Sequence, residues 1–432
     1  MRTFTIIWFG QLVSTIGSAM TAFAFSLWIW QITGSATALA LVGFFSQLPR
    51  IFIALFAGMI VDRFNRKRLM ILGDTSAVIC TIAVGVLYAT QRLEVWHLYA
   101  VVALHGGFGQ VQNLAYSSSV ALMVPKQHYT RASSMGSLVT NSAAILSPAL
   151  AGSLYPLIGL SGIIWVDVTT FAAAFSTLLL VQIPQPSQMV EIDAKPEGVV
   201  KKVTFGFQYI LQRPGLVAMS LAFSSFWFVH QLGEYLLKPM ILARTSGDVQ
   251  ILGTVATAAG VGGLIGAVSL SIWGGFKRRV GGMLLGFIGV GLGKTVLEFG
   301  QSPVVWIPAQ IGASLCVPLL FCSSNAIWYA KVPPVVQGRV FAADEMIGLI
   351  ITSTTALIVG PLADQVFEPA MQPDGFLAPI FGSFLGTGSG SGIALLYVLT
   401  SLCIVFIGVS GYAFQTLRDV EHVLPDHDRV NS

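Results

Sequence analysis

The sequence predicts an all-α integral membrane protein whose twelve transmembrane helices form two six-helix halves. Three observations carry that expectation. Hydrophobic residues make up 54% of the 432-residue chain and charged residues only 10%, whereas a soluble protein carries roughly 25% charged residues to cover its surface. Twelve apolar runs reach the length of about 20 residues that crosses the hydrocarbon core. The Lys and Arg residues alternate between rich and poor connecting segments, which sets an orientation. The low charge also excludes a disordered chain. The 45 glycines and 19 prolines have no period, which excludes a fibre.

The first six runs cover residues 5–31, 36–61, 69–90, 97–123, 133–156 and 161–183. The N-terminal run is too long for a signal-peptide core and lacks a small-residue cleavage site, so it is expected to be an uncleaved first span. Pro184 to Lys202 then breaks the pattern with Pro184, Pro186 and Pro196 among acidic and basic side chains, and an amphipathic stretch, Val203 to Arg213, follows. The second six runs cover 215–241, 250–275, 281–300, 304–330, 340–364 and 392–415. The expected organisation is therefore an N-terminal half (1–183), a cytoplasmic linker with a short amphipathic helix (184–213), a C-terminal half (214–415) and a cytoplasmic tail (416–432). Prolines 49, 148, 308, 318 and 361 fall inside spans, where they permit bending.

With the N-terminus inside, 18 of the 23 Lys and Arg residues fall in inner segments. The outer loops hold only Arg92 and Arg244, and Arg50, Lys238 and Lys294 lie within spans. Both termini are then cytoplasmic, in a multi-pass protein of the cytoplasmic membrane. No basic stretch interleaved with aromatics suggests a nucleic-acid partner. Cys80, Cys316, Cys322 and Cys403 all lie in apolar runs without metal-ligand spacing, so neither a disulfide framework nor a metal site is expected.

Two echoes lie six helices apart. Arg66–Arg68 after the second run matches Lys277–Arg279 after the eighth, and Ser147–Ala151 matches Gly360–Asp364. Two parallel halves about a midplane site is a plan used by secondary transporters.

The stretch from Gly58 to Arg68, GMIVDRFNRKR, resembles the loop between the second and third helices of the major facilitator superfamily. Ile7–Gln11, Pro148–Gly152, Gly338–Val340 and Gly360–Asp364 followed by Val366–Pro369 resemble its macrolide-efflux and siderophore-export branch. The resemblance covers nearly the whole chain. It implies a proton-driven exporter of bulky amphiphilic small molecules, such as a macrolide or a siderophore-like metabolite; alternating access about a midplane site, by a monomer, is the expected mode. An importer or facilitator of the same fold, a channel and a non-transporting receptor are the alternatives. The chain departs from the family at Leu104–Gln110, which lacks the helix-4 arginine of many drug antiporters, and in its second-half basic loop, which lacks an acidic partner like Asp62.

Within the matching loop, Gly58 permits close helix approach, and Asp62 can pair with a base or a helix N-terminus. Together with Arg63, Arg66 and Lys67 it forms the expected gate latch; positive-inside topology alone needs the bases but not Asp62.

Charges inside spans are costly and are functional candidates. In the seventh helix Trp227, His230 or Gln231, Glu234 and Lys238 recur on one face. Glu234 either takes up and releases the coupled proton or forms a static pair with Lys238. Arg50 is expected in a cavity or against an acid, as a contact for an anionic substrate, a lever on a proton site or a structural pair with an acid on a neighbouring helix. Asp167 and Asp344 are further coupling candidates, balanced against a packing role and a cytoplasmic salt-bridge cluster with Glu345 and Arg339. Asp74 is expected to pair with Arg63–Arg68, and Lys294 with Glu298, one turn away.

Substrate contacts are expected from Gln11, Ser14 and Ser18 on helix 1, and from His105, Gln110 and Asn113 on helix 4. Trp227 and Gln231 on helix 7 and Asn325 on helix 10 complete the set. This mixture of aromatic surface and neutral hydrogen bonders suits an amphiphile; for each residue the competing reading is helix–helix glue. Gly289–Thr295 imitates a phosphate-binding loop, but Ile288 stands where the motif needs glycine, so close helix packing is expected and no nucleotide. Gly386–Gly392 is expected to be a flexible outer loop. No catalytic cluster stands out, so no enzyme, catalytic residue or cofactor is expected, and the partners are the substrate, protons and lipid.

Overall fold

The computed structural model describes residues 2–125, 128–181 and 199–423, and all regular structure among them is helical. The long helices are α1 (Arg2–Thr33), α2 (Ala36–Arg63), α3 (Arg66–Ala89), α4 (Val95–Met123) and α5 (Tyr129–Leu180). After α6 (Val199–Leu211) come α7 (Pro214–Arg244), α8 (Val249–Trp273), α9 (Arg279–Phe299), α10 (Pro303–Lys331) and α11 (Pro334–Pro361). Short α12 (Glu368–Ala370) and α13 (Ala378–Leu385) precede α14 (Ser391–Ala413), and α15 (Gln415–Arg418) and α16 (Val420–Val423) close the described chain. The linker up to residue 198 and the tail beyond 423 lie outside the described residues.

Ten helical stretches among the described residues are long and apolar enough to span a membrane. One of them contains the non-helical Gly159, at φ 63°, which divides α5 into two helices. Helix α4 is the twelfth long segment, and it carries His105, Gln110, Gln112 and Asn113. The architecture is consistent with the twelve spans expected.

The chain divides into two compact units. Unit 1 comprises Met1–Gly34, Ala38–Lys195 and Gly247–Thr257. In it α1 packs along α5, and α3 packs on α4 and α5. Its core joins Phe4 and Ile7 of α1 to Leu69 and Met70 of α3, Ala115 of α4 and Leu178 of α5. Arg66 donates to the Ser118 carbonyl (2.7 Å), and Lys67 to those of Leu179 (3.1 Å) and Val181 (2.7 Å). Cations at helix C-termini satisfy leftover carbonyls and the helix dipole. The surroundings of Gly58 and the side chains of Asp62 and Arg63, the remainder of the expected gate, lie outside what is described.

Unit 2 comprises Ser35–Thr37, Pro196–Ser246 and Ala258–Ser432. Its core centres on the stacked rings of Phe226 and Phe287, 4.2 Å apart, with Leu320, Trp328 and Ile404 around them. Trp328 is thus a core residue. One glycine face of α9 lies against α10: a Cβ at Gly282, Gly286, Gly289 or Gly293 would meet Ser323, Leu320, Cys316 or Ala313 at under 3 Å, whereas Gly291, also in the phosphate-loop look-alike, faces Ser401 and Val405 of α14. They permit close helix contact, as small residues do in membranes.

Two carboxylates cap helices in unit 2. Asp364, in the π-helical turn after Pro361, accepts from Ser35 Oγ (2.6 Å), Ala36 N (3.1 Å) and Thr37 N (2.9 Å). Glu368 accepts from the backbone N–H groups of Gly390 and Ile393 at the start of α14. The glycine-rich segment expected to be a flexible loop is therefore pinned at its end by Glu368, because a helix N-terminus leaves unsatisfied N–H groups that a carboxylate can serve.

Candidate functional site

Each unit contains a polar constellation in an otherwise apolar setting. In unit 1, a cavity of about 390 Å³ opens between α1, α3, α4 and α5. Its wall includes Gln11, Ser14 and Ser18 of α1, Asp74 of α3, and His105, Gln112, Asn113 and Tyr116 of α4, with Phe171 of α5. With Gly109, His105, Gln112 and Tyr116 recur at steps of four, three and four residues, so one face of the helix is turned to the cavity. Of the expected contacts, Gln11, Ser14, Ser18, His105 and Asn113 come together here. Gln110 is not part of the wall. It accepts from Arg50 Nε (3.4 Å) and Nη2 (3.3 Å), and Gln47 accepts from Arg50 Nη1 (3.3 Å). Arg50 is thus held by neutral amides rather than by an acid.

Two buried carboxylates belong to this region. Asp74 is 5% exposed. Its Oδ1 accepts from Gln112 Nε2, and its Oδ2 has no hydrogen-bond partner among the described residues. The expected pairing with the basic loop does not form with Arg66 or Lys67, which serve backbone carbonyls instead. Asp167 accepts from Ser18 Oγ (3.0 Å) and Thr81 Oγ1 (3.2 Å), which ties α1 and α3 to α5.

In unit 2, α7 and α9 bring together His230, Glu234 and Lys294. Lys294 Nζ donates to Glu234 Oε1 (2.7 Å) and approaches His230 Nδ1 (3.1 Å). An ammonium has only donors, so this contact fixes Nδ1 as the acceptor and leaves the ring proton on Nε2. That nitrogen lies 3.8 Å from Glu234 Oε1. Lys294 is nearly fully buried, whereas the Glu234 side chain is 40% exposed, so Glu234 is the member of the pair that opens outward. The Lys294–Glu298 pair expected from their spacing is not made. Glu298 is fully buried, and neither carboxylate oxygen has a hydrogen-bond partner among the described residues. Arg244 holds the Glu298 backbone carbonyl (3.3 Å) and that of Gly300 (3.1 Å), the carbonyl end of α9.

Of the remaining expected residues, Trp227 has its ring 5.6 Å from that of His230. Trp227 donates to Thr352 Oγ1 (3.1 Å) and sits in an aromatic group with Phe223 and Phe321. Gln231 and Asp344 are half-buried on α7 and α11, and Asn325 is exposed on α10. Sequence reasoning missed Gln112 and the Lys294–Glu234 pair. The period of α4 could have found Gln112, because it falls on the His105 face and Gln110 does not. No local spacing points to a pair 60 residues apart.

A sequence model of the Major Facilitator Superfamily matches residues 7–354. Macrolide efflux protein A of Streptococcus pyogenes is 24% identical over 367 residues, covering 84% of this chain and 90% of its own length. The multidrug efflux pump Tap of Mycolicibacterium fortuitum is 24% identical over 369 residues, covering 83% and 88%. A bacterial homologue of the human lysosomal transporter Spinster shares the fold with a TM-score of 0.73 at 13% identity, covering 98% of each chain. A bacterial homologue of the iron transporter ferroportin aligns with a TM-score of 0.66 at 14% identity, covering 95% of this chain and 98% of its own. With helices of membrane length throughout and a family match over most of its residues, the chain is a multi-pass membrane transport protein, not an enzyme, and belongs to the major facilitator superfamily.

Proposed function

We propose that the protein exports amphiphilic small molecules across the cytoplasmic membrane by alternating access, driven by proton entry and needing no cofactor. The observation that carries this reading is the similarity, along more than four-fifths of the chain, to proteins named for macrolide and multidrug efflux. The charge bias of the loops supports cytoplasmic termini, and the protein acts as a monomer in this reading.

The coupling group in this proposal is Glu234. A proton arriving there removes the counter-charge of Lys294, which is too deeply buried to be left unpaired. Glu298, one helical turn along α9 and without a hydrogen bond of its own, is the nearby acid that can take over. Proton binding at the more exposed acid thus becomes a change of partner for a buried lysine. Arg50, Asp167 and Asp344 are secondary candidates for coupling, and Gln11, Ser14, Ser18, His105, Asn113, Gln110, Trp227, Gln231 and Asn325 remain the proposed cargo contacts. Gly58, Asp62, Arg63, Arg66 and Lys67 remain the proposed gate.

The test is efflux of a panel of amphiphilic drugs from a host lacking its own major exporters, with and without an uncoupler. Uncoupler-sensitive efflux that Glu234→Gln loses is the expected result. Uncoupler-insensitive efflux rejects proton drive, and inward accumulation favours the importer of the same fold.

A further inference from the structure

Asp74 is a buried carboxylate of unit 1 with no basic side chain on it among the described residues. It is nineteen-twentieths buried, it lines the cavity, and only one of its oxygens is hydrogen-bonded among the described residues. Leaving a carboxylate oxygen bare inside a membrane protein is costly, and such a group marks a pathway or ligand site. No Lys or Arg lines the cavity. The nearby Arg50 is engaged by Gln47 and Gln110. A second buried carboxylate, Asp167, stands directly behind the cavity residue Ser18. The cavity is therefore a concave space with one carboxylate, Asp74, in its wall, His105 as its one titratable base, and no Lys or Arg.

We infer that this cavity receives the positively charged head of the cargo, with the Asp74 carboxylate as its counter-ion. The inference rests on the reading of the protein as a carrier of amphiphiles and adds the charge class that one of its sites selects. The volume of about 390 Å³ lies in the range of roughly 300–1,000 Å³ typical of small-molecule sites, far above what a bare ion occupies. No group of three or more His, Cys, Asp and Glu suited to a metal exists among the described residues. The neutral amides of Gln11 and Asn113 and the hydroxyls of Ser14 and Ser18 offer hydrogen bonds without competing charge. Tyr116 and Phe171 offer aromatic faces, which attract organic cations. An organic ammonium or delocalised cation with an apolar body meets all of these features at once.

The experiment is equilibrium binding to the purified full-length protein in lipid nanodiscs. The probes are rhodamine 6G and tetraphenylphosphonium as cations and chloramphenicol as a neutral amphiphile. Asp74→Asn is expected to weaken both cations about tenfold or more while chloramphenicol changes less than about twofold, and Asp74→Glu to restore cation binding in large part. A parallel arm uses the unmutated protein, so that it does not depend on the variant folding. Modification of the Asp74 carboxyl by dicyclohexylcarbodiimide, located by peptide mass spectrometry, is expected to be slowed by rhodamine 6G and not by chloramphenicol. Unchanged cation binding in Asp74→Asn, equal loss of cationic and neutral probes, or labelling that no cation slows overturns the inference while leaving the exporter reading in place. Absence of binding by all three probes removes the exporter reading and this inference with it.

Discussion

Lys294 touches Glu234 and His230 at once and lies one turn from a buried acid that has no hydrogen bond. Removing one partner of a fully buried ion pair costs about 3–5 kcal/mol. Glu234 is partly exposed, and Glu298 stands in reserve, so Glu234→Gln is expected to cost only about 1–2 kcal/mol in thermal unfolding. Glu298→Gln alone is expected to change stability by less than about 1 kcal/mol. The double variant should then lose a further 1–2 kcal/mol or so, roughly, beyond the sum of the two singles, since it strands the lysine. Strict additivity in a double-mutant cycle would mean that Glu298 does not share the lysine. A second residue-scale expectation concerns Asp364. Its three hydrogen bonds to Ser35, Ala36 and Thr37 make it a cap, and Asp364→Ala is expected to lose about 1–2 kcal/mol, read as a lower melting temperature. These partnerships were the least legible part of the sequence. Spacing along one helix suggested Glu234 with Lys238 and Lys294 with Glu298. Lys294 reaches Glu234 on another helix rather than Glu298 on its own, and a spacing rule carries no information about which helix faces which.

At the scale of the element, sequence periodicity did much better. The glycine face of α9 was readable because four small residues at helical steps leave only one use for that face, and the structure puts α10 against it. Gly293→Leu is expected to collide with Ala313 and yield aggregated protein. Gly263→Ala on α8, whose added methyl would meet nothing within 4 Å, is expected to gain up to about 1 kcal/mol from better helix propensity. Size-exclusion profiles and melting curves of the two variants separate the cases. The polar residues of α1 and α4 were legible for the same reason: in an apolar helix, Gln, Ser, His and Asn stand out, and five of those named line one cavity. Gln110 was grouped with them because it is polar, but a helical step of five residues from His105 turns it towards Arg50 instead. Gly386–Gly392 reads as a loop, and residues 386–390 form one, ahead of the helix that starts at Ser391. Its composition suggests freedom, but the carboxylate that pins it lies about 20 residues away in sequence.

For the molecule as a whole, composition alone established the class. A chain with 10% charged residues has to place most of its surface in lipid, and the apolar runs then fix the number of long helices. Direction of transport and energy source do not follow from that fold, which is shared at 13–14% identity with transporters described for quite different roles. Orientation is testable by itself: single cysteines introduced at Ser432 and at Gln91 are expected to react with an impermeant maleimide from the inner and outer faces respectively. The most direct test of proton-driven export uses purified protein in liposomes, with an imposed pH gradient, the membrane potential clamped and rhodamine 6G as cargo. The account predicts accumulation of the dye on the acidic side above its equilibrium distribution, abolished by nigericin and by Glu234→Gln; saturable equilibration that ignores the pH gradient would contradict it.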